Sequence, residues 1–270
     1  MSLRFFLSLM LLCGLCVAYL GTVWSRHLHE LDVVKNLSVG KFSISVSKSK
    51  PQLLGLIPPR VTGVSLFGNK SISVTSFRSL LKFGRLESLN VSLSNVGHSH
   101  FASVSSRNSA IRKIVAVRCR GFDDKSFAAC CSRFPTLEFL DITDAGVSEI
   151  GGVSVGQLKM LKTLNASGTN IGDKSVAELV AKCLRIEDID VAGTNISDAS
   201  IRLLMTLPNL RTLDVSKNLI DVESLKCENH PASLRHLTYW SRTPIKRSQR
   251  DAVKEFFNEA QVTIGPTMRE

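Results

Sequence analysis

The sequence has few aromatic residues, few acidic residues in its first half and no motif typical of catalysis. Phe, Trp and Tyr make up 6% of the 270 residues, whereas Val, Ile and Leu number 74. This composition predicts an aliphatic core built from small repeated units rather than around one aromatic cluster. The chain contains no phosphate-binding glycine loop, no H-E-x-x-H and no G-x-S-x-G. We therefore expect no catalytic residues, no metal and no cofactor, with an enzyme ranked third among the functions considered.

The charge is unevenly distributed along the chain. Residues 1–133 contain 18 Lys and Arg against 5 Asp and Glu, and residues 134–270 contain 16 against 18. A nucleic-acid-binding protein usually keeps its basic excess along one continuous face. The pattern here does not indicate such a face, and neither a nucleic-acid partner nor a small-molecule substrate is expected.

The N-terminus carries an uncharged run of 20 residues, 5–24, after Arg4. As a helix it covers about 30 Å, the thickness of a bilayer core. Residues 1–26 are therefore interpreted as a signal anchor, with a signal peptide cleaved before Arg26 as the alternative. Because Arg4 and the α-amine precede the run, we expect a single-pass membrane protein whose remaining residues are lumenal or extracellular. Cleavage would instead give a secreted protein.

A repeat of 24–26 residues follows the apolar run. Five segments align without gaps and start at Leu86, Leu137, Leu161, Ile186 and Leu210, and weaker copies start at Val61, Ile111 and Leu234. Val, Ile or Leu fill 21 of the 24 slots at the first, fourth and sixth positions of the eight copies. Alternation over positions four to six predicts a short strand with one buried face, and Leu164 and Ile189 are typical core positions.

These segments resemble the leucine-rich repeat family, whose pattern is L-x-x-L-x-L-x-x-N/C-x-L, over residues 61–250. The resemblance implies an α/β solenoid with a curved parallel sheet on the concave side, helices and turns on the convex side, and here an N-terminal hydrophobic helix. It also implies a protein partner. Cys183 and the short convex segments are similar to the cysteine-containing type found in ubiquitin-ligase substrate receptors, so an intracellular adaptor is the second hypothesis for function.

Several segments depart from the regular repeat. The ninth position, usually Asn, is filled by Asn69, Ser94, Cys119, Ala145, Thr169, Thr194, Asn218 and Arg242, which predicts a partial polar ladder. The three glycines of residues 151–156 indicate a repeat without a regular helix. Segments 173–183 and 198–207 are predicted to be helices capped by Asp173 and Asp198. Residues 27–60 are expected to form an N-terminal cap with a strand over 41–47, and residues 251–270 a capping helix and tail.

Cysteines and histidines give no sign of chemistry. The Cys13 and Cys16 pair lies inside the apolar run, and the other five cysteines are expected to be mostly buried thiols, with no disulfide assigned. His98 and His100 lack a third ligand nearby, which favours a solvated turn over a metal site.

Five Asn-x-Ser sequons favour passage through the secretory route. Asn36, Asn69 and Asn195 are the preferred glycosylation sites. A glycan on Asn90 or Asn165 would obstruct the concave face, because both lie between inward aliphatic residues of a strand.

The predicted partner-binding surface is this concave face. Its strand side chains form a polar column that is acidic toward the C-terminal end, with basic residues in the third repeat. Such a charge-separated face suits a protein of complementary charge. The candidate binding residues are Asp141, Asn165, Glu187, Asp188, Asp190, Asp214, Arg112 and Lys113.

Overall fold

The computed structural model describes residues 3–38, 45–51, 58–104, 110–227, 230–257 and 259–267, without the side chains of residues 3–14, 36–38, 45 and 267. Ten strands form one sheet in chain order. The strands are β1 Ser45–Lys48, β2 Val61–Ser65, β3 Ser88–Asn90, β4 Lys113–Val115, β5 Phe139–Asp141, β6 Thr163–Asn165, β7 Asp188–Asp190, β8 Thr212–Asp214, β9 His236–Ile245 and β10 Gln261–Thr267. The α-helices are α1 Leu3–Ser38, α2 Val74–Leu80, α3 His98–Ala102, α4 Asp124–Arg133, α5 Glu149–Gly152, α6 Asp173–Lys182, α7 Asp198–Leu204 and α8 Arg247–Phe256, and two 3-10 helices cover Val153–Gln157 and Val222–Leu225.

The strands confirm the predicted repeat. From β2 to β10 every neighbouring pair is parallel, and the middle residues Leu89, Ile114, Leu140, Leu164, Ile189 and Leu213 lie directly beside one another. All six are buried in one continuous core. Each helix or turn segment returns the chain to the next strand, so neighbouring repeats bury one another's apolar faces. This parallel-sheet solenoid fits the leucine-rich-repeat architecture.

The turn after each of the strands β2 to β8 has a residue in the left-handed conformation at the eighth repeat position. Positive φ angles of 49–70° occur at Gly68, Leu93, Arg118, Asp144, Gly168, Gly193 and Lys217. Glycine adopts this conformation without strain, whereas an L-residue such as leucine is strained by its Cβ atom. The sequence pattern did not identify this position, because glycine fills only three of the seven.

The variant Leu93→Gly is expected to be more stable than Leu93→Ala by about 1 kcal/mol. Both changes remove the same side chain, which is 40% exposed, but only glycine relieves the strain of a left-handed residue at a φ of 55°. Urea unfolding measures both; equal effects of the two changes would contradict the strain argument.

The ninth repeat position forms the predicted ladder. The residues at this position from Asn69 to Asn218 are all buried. Ser94, Thr169 and Thr194 donate their hydroxyl groups to the carbonyl oxygens three residues before them, at 2.6–2.8 Å. Asn218 links two repeats, since its amide donates to the carbonyl of Val191 and its oxygen accepts the Thr194 amide N–H. Serine and threonine therefore replace asparagine within a repeat. Asn218 also bonds to the preceding repeat, as does Cys119, whose thiol donates to the carbonyl oxygens of Ser94 and Val96.

The convex helices differ from prediction in how they begin. Helix α6 is confirmed over residues 173–182, but its N-cap is Gly172, and α7 is capped by Ser197. Asp173 instead accepts hydrogen bonds from the backbone N–H and hydroxyl of Ser197, at 2.9 and 2.7 Å, in the following repeat. Asp124 binds Ser148 in the same way. Asp173 and Asp198, which were predicted to cap their own helices, thus connect neighbouring repeats, since Asp198 likewise accepts the backbone N–H of Asp221 at 2.9 Å. The repeat with three glycines has the predicted irregular segment, a four-residue α5 followed by a 3-10 helix.

The core of the first repeats contains a cluster of aromatic rings beside its aliphatic residues, and the composition did not predict this cluster. Phe101 lies at the centre of a cluster in which its ring meets those of Phe77, Phe122 and Phe134 edge to face, with ring centres 5.3–6.2 Å apart. All four rings are buried. Overall composition did not reveal the cluster because its members come from different repeats, where each occupies a convex-side position.

Both ends of the solenoid are capped. Strand β1 pairs antiparallel with β2, which places a strand within the predicted segment 41–47, although residues 41–44 lie outside the described residues. At the other end lies helix α8, which begins four residues before the segment 251–270 that was predicted as a capping helix and tail. The residues after α8, predicted as a tail, form the additional parallel strand β10.

Helix α1 continues beyond the apolar run and packs against the first repeat. Val23, His27 and Glu30 are buried there, and the carboxylate of Glu30 binds the guanidinium of Arg60 and the backbone N–H of Val61. Leu15, Val17 and Tyr19 are exposed. Within the described part of the chain, no helix is both long and apolar enough to span a membrane. The side chains of residues 5–14, half of the predicted anchor, lie outside that part.

Candidate interaction surface

The side chains that flank each buried strand residue point away from the helices, and we call the surface they form the open face. The fifth repeat position contributes one column of this face. Asp141, Asn165, Asp190 and Asp214 lie side by side on neighbouring strands, in the predicted order. All four are half-buried. The structure therefore brings together the residues that were predicted to form the acidic column.

Each member of this fifth-position column also has a structural role that was not foreseen. Its Oδ1 accepts the backbone N–H two residues later, as in Asp190 to Ala192 and Asp214 to Ser216, both at 2.9 Å. Asp141 and Asn165 do the same with Thr143 and Ser167. One oxygen thus fixes the turn after the strand, and the second oxygen of Asp190 and of Asp214 forms no hydrogen bond with any described residue.

The second repeat position neutralises much of the predicted charge separation. Glu87, Arg112, Glu138, Lys162, Glu187 and Arg211 alternate in sign from repeat to repeat. Glu138 lies 2.8 Å from Lys162 and 3.6 Å from Arg112, and Glu187 lies 3.4 Å from Arg211. The hydrogen bond from Lys162 is the main reason that the pKa of Glu138 is lowered. The expectation of a face that is basic at one end and acidic at the other is therefore wrong for this column.

The third repeat position adds two of the predicted residues. The Lys113 ammonium lies 4.3 Å from the centre of the Phe139 ring, a cation–π contact. Asp188 accepts a long hydrogen bond of 3.3 Å from the hydroxyl of Thr163. Asp188, Asp190 and Asp214 lie on the adjacent strands β7 and β8 and form no ion pair with any described residue. We call these three residues the acidic strip.

Burial and like charge set the ionisation of the strip. Burial is the main factor that raises the pKa of Asp190, and the charges of Asp214 and Asp141 raise it further. The backbone N–H of Ala192 and the charge of Lys217 act in the opposite direction without cancelling the rise. The ionised Asp190 is therefore held in a position that disfavours its charge.

Replacing Asp190 with asparagine is expected to increase the free energy of unfolding at pH 7 by about 0.2–1 kcal/mol, the scale of a like-charge pair on adjacent strands. The amide oxygen can still accept the Ala192 N–H. Because the folded protein raises this pKa, the wild-type group favours folding below its unfolded pKa near 4, and this contribution is lost as the pH rises through the folded pKa. The variant's advantage should thus shrink when urea unfolding is repeated at pH 3.5. An advantage that stays constant with pH would contradict this explanation.

The other predicted sites have mixed outcomes. Asn69 is buried, contrary to its prediction as a glycosylation site, and its Oδ1 accepts the Ser71 N–H. Asn195 is exposed, Asn90 and Asn165 are half-buried on the open face, and the side chain of Asn36 lies outside the described residues.

His98 and His100 begin helix α3 rather than a solvated turn. His100 is buried between the Gly97 N–H, which donates to Nδ1, and the Ile72 carbonyl, which lies 3.1 Å from Nε2.

The cysteine prediction is confirmed where the structure describes it. Cys119, Cys130, Cys131 and Cys183 are buried free thiols, and Cys227 is a half-buried one. Burial raises the pKa of Cys183 to about 12, so its thiol is unreactive at neutral pH. Among the described residues, no three His, Cys, Asp or Glu side chains are grouped so that they could hold a metal ion. The side chain of Cys13 is outside them.

Comparison with known proteins adds little to this geometry. No family model matches the sequence, and no curated protein matches it. Among solved structures, internalin C2 from Listeria monocytogenes is similar with 15% sequence identity and a TM-score of 0.46, over 66% of this chain and 80% of that chain.

Proposed function

We propose that this chain is a non-catalytic recognition protein that binds a cationic protein surface through the acidic strip on its open face. The observation that supports this most is the pair of Asp190 and Asp214, whose carboxylates stand on adjacent strands and each keep one oxygen free of hydrogen bonds to described residues. A lysine or arginine of a partner would relieve their repulsion and satisfy the free oxygens. Such a contact gives mainly orientation and a fast association rate.

The test is the double variant Asp190→Asn with Asp214→Asn, against a partner captured by the wild-type chain. We expect slower association, with the difference largest at low salt because screening weakens the attraction. A matched control is Asp251→Asn with Glu255→Gln on α8, which removes the same charge from another exposed surface. Unchanged binding of the strip variant, or an equal loss in the control, would show that the strip is not the interface.

The proposal includes attachment to a membrane through residues 5–24, with the repeats lumenal or extracellular. It is supported by the uncharged run and by the exposure of Leu15, Val17 and Tyr19, apolar side chains that α1 carries beyond its contact with the repeats. Alkaline carbonate washing should leave the protein in the membrane pellet. Release with a new N-terminus near Arg26 would favour the secreted form instead.

The second candidate function is an intracellular adaptor. It is favoured by the free thiols of the repeats and by the burial of Asn69, which removes one sequon from those available for glycosylation. Glycosidase treatment separates the two, because a shift in mobility requires lumenal exposure of a sequon such as Asn195. If no shift is seen and the chain fractionates with cytosolic proteins, the adaptor function replaces the first.

A further inference from the structure

Two adjoining cavities of about 550 and 380 Å³ lie between helix α1 and the first repeat. Both are lined by Arg26 on α1, by Arg60 just before β2 and by Gly84 in the loop after α2. We call the two together the basic groove. It is separate from the open face, because its walls are α1 and the convex segment that follows α2.

The basic groove has a strong excess of positive charge. Besides Arg60, its walls carry Arg26, Lys82 and Arg85, together with His29. Glu30 is the acidic residue in its wall, and it is bound by Arg60. Arg26, Lys82 and Arg85 form no ion pair with any described residue. Three exposed cations therefore face one concave space, and no acidic side chain among the described residues is paired with them.

The groove also begins at the end of the apolar run. Tyr19 and Thr22 line the same cavity as Arg26 and Arg85. Tyr19 and Trp24 are exposed, and Arg26 follows Trp24 by two residues. Along a helix, residues 19–26 span about 10 Å. A helix that is inserted in a membrane places apolar residues in the hydrocarbon, aromatic residues at the interface and cations among the headgroups. Helix α1 has the same order of residues within this distance.

We propose that the basic groove binds the phosphate-bearing headgroup of an anionic lipid in the bilayer that α1 enters. The guanidinium groups of Arg26 and Arg85 would bind the phosphate oxygens by charge-assisted hydrogen bonds, with Lys82 as an additional point charge. The aromatic ring of Tyr19 would contact the lipid below the headgroup. This inference rests on the proposed insertion of α1 into a bilayer and does not depend on which side of the membrane the repeats lie. It assigns the groove to lipid rather than to the protein partner of the acidic strip.

The experiment uses the full chain in neutral detergent micelles, with dihexanoyl phosphatidic acid as the probe and dihexanoyl phosphatidylcholine and inorganic phosphate as comparisons. Titration followed by calorimetry or NMR should show preferential binding of the phosphatidic acid. Arg26→Gln with Arg85→Gln should weaken it roughly tenfold or more, the effect of losing charge-assisted bonds at two guanidinium groups. The control Arg120→Gln with Lys174→Gln removes the same charge from exposed positions elsewhere and should change the affinity little.

Three results would overturn the proposal. They are absence of phosphatidic acid binding to the wild-type chain, equal weakening by the control variant, and inorganic phosphate binding as tightly as the lipid, which would make the groove a site for free phosphate. Unchanged urea unfolding of the Arg26 and Arg85 variant establishes that the fold is intact. Flotation of the wild-type chain with phosphatidylcholine vesicles tests the membrane attachment separately, because it requires α1 to insert and does not require the groove to bind.

Discussion

The variant Phe101→Ala is expected to lower the free energy of unfolding by about 3–5 kcal/mol, the usual cost of removing a buried phenylalanine. Phe101 is fully buried, and its ring meets Phe77, Phe122 and Phe134 edge to face. Its removal deletes contacts between the second repeat and both of its neighbours, because Phe77 belongs to the first repeat and Phe122 and Phe134 belong to the third. In a solenoid each repeat is stabilised by its neighbours, so the cavity should weaken the whole N-terminal half.

The measurement is equilibrium urea unfolding, with two comparison variants. Phe101→Leu keeps most of the side-chain volume, so its free energy of unfolding should fall clearly less than that of Phe101→Ala. Phe67→Ala removes an exposed ring, and its free energy of unfolding should stay within about 0.5 kcal/mol of the wild-type value. A loss below about 1 kcal/mol for Phe101→Ala would mean that the rings do not pack as described.

The second large effect is expected at the junction of α1 with the solenoid. The side chains of Glu30 and Arg60 are 4% and 13% exposed and form an ion pair, and the hydrogen bond to Glu30 is the main reason that the pKa of Arg60 is raised. Arg60→Ala leaves the Glu30 carboxylate buried without its cation. Breaking a buried pair from one side costs about 3–5 kcal/mol, and here the loss should appear as release of α1 from the first repeat.

Hydrogen exchange of the α1 amides after residue 23, measured in detergent micelles, reports this release directly. The control is the double variant Glu30→Met with Arg60→Leu, in which both charges are replaced by apolar side chains of similar size. The α1 amides of the double variant should exchange much more slowly than those of Arg60→Ala, because no unpaired charge remains buried. If the double variant exchanged as fast as the single one, the junction would depend on the ion pair itself and the desolvation argument would be wrong.

The parts of the fold that the sequence predicted are those that depend on period alone. Leu164 and Ile189 are core residues because every repeat places an aliphatic side chain at the same position, and the sheet then aligns them. The ladder was predictable for the same reason, since a column of small polar residues recurs at one position. A single chain with internal repeats serves as its own alignment, and this is why strands and core were predicted well.

The interactions between repeats were not predictable in the same way. Asp173 was assigned to its own helix because local capping rules consider only neighbours in sequence, whereas its carboxylate binds Ser197 in the next repeat. Likewise the alternating pairs such as Glu138 with Lys162 require the lateral register of consecutive turns. The sequence contains both residues of each pair, but only the spacing of the sheet places them within reach of each other.

The packing of the second half of α1 against the first repeat was also not predicted from the sequence. Val23, His27 and Glu30 lie on one side of the helix at intervals of four and three residues. This pattern predicts an amphipathic helix that packs against something. The sequence analysis did not recognise this amphipathic pattern because the preceding run is apolar on every side. The segment was therefore divided at residue 26 and was not predicted to be one continuous helix.

The two outermost strands of the sheet determine whether a second molecule can add a strand at either edge. Strand β1 runs against the direction of its neighbour, so the N-terminal edge does not present the parallel template that a further repeat of another molecule would need. Strand β10 carries Pro266, which has no N–H to offer to a new strand. A parallel ladder open at both ends would be a template for head-to-tail fibres. The two outermost strands of the described sheet therefore act against head-to-tail association of one molecule with another.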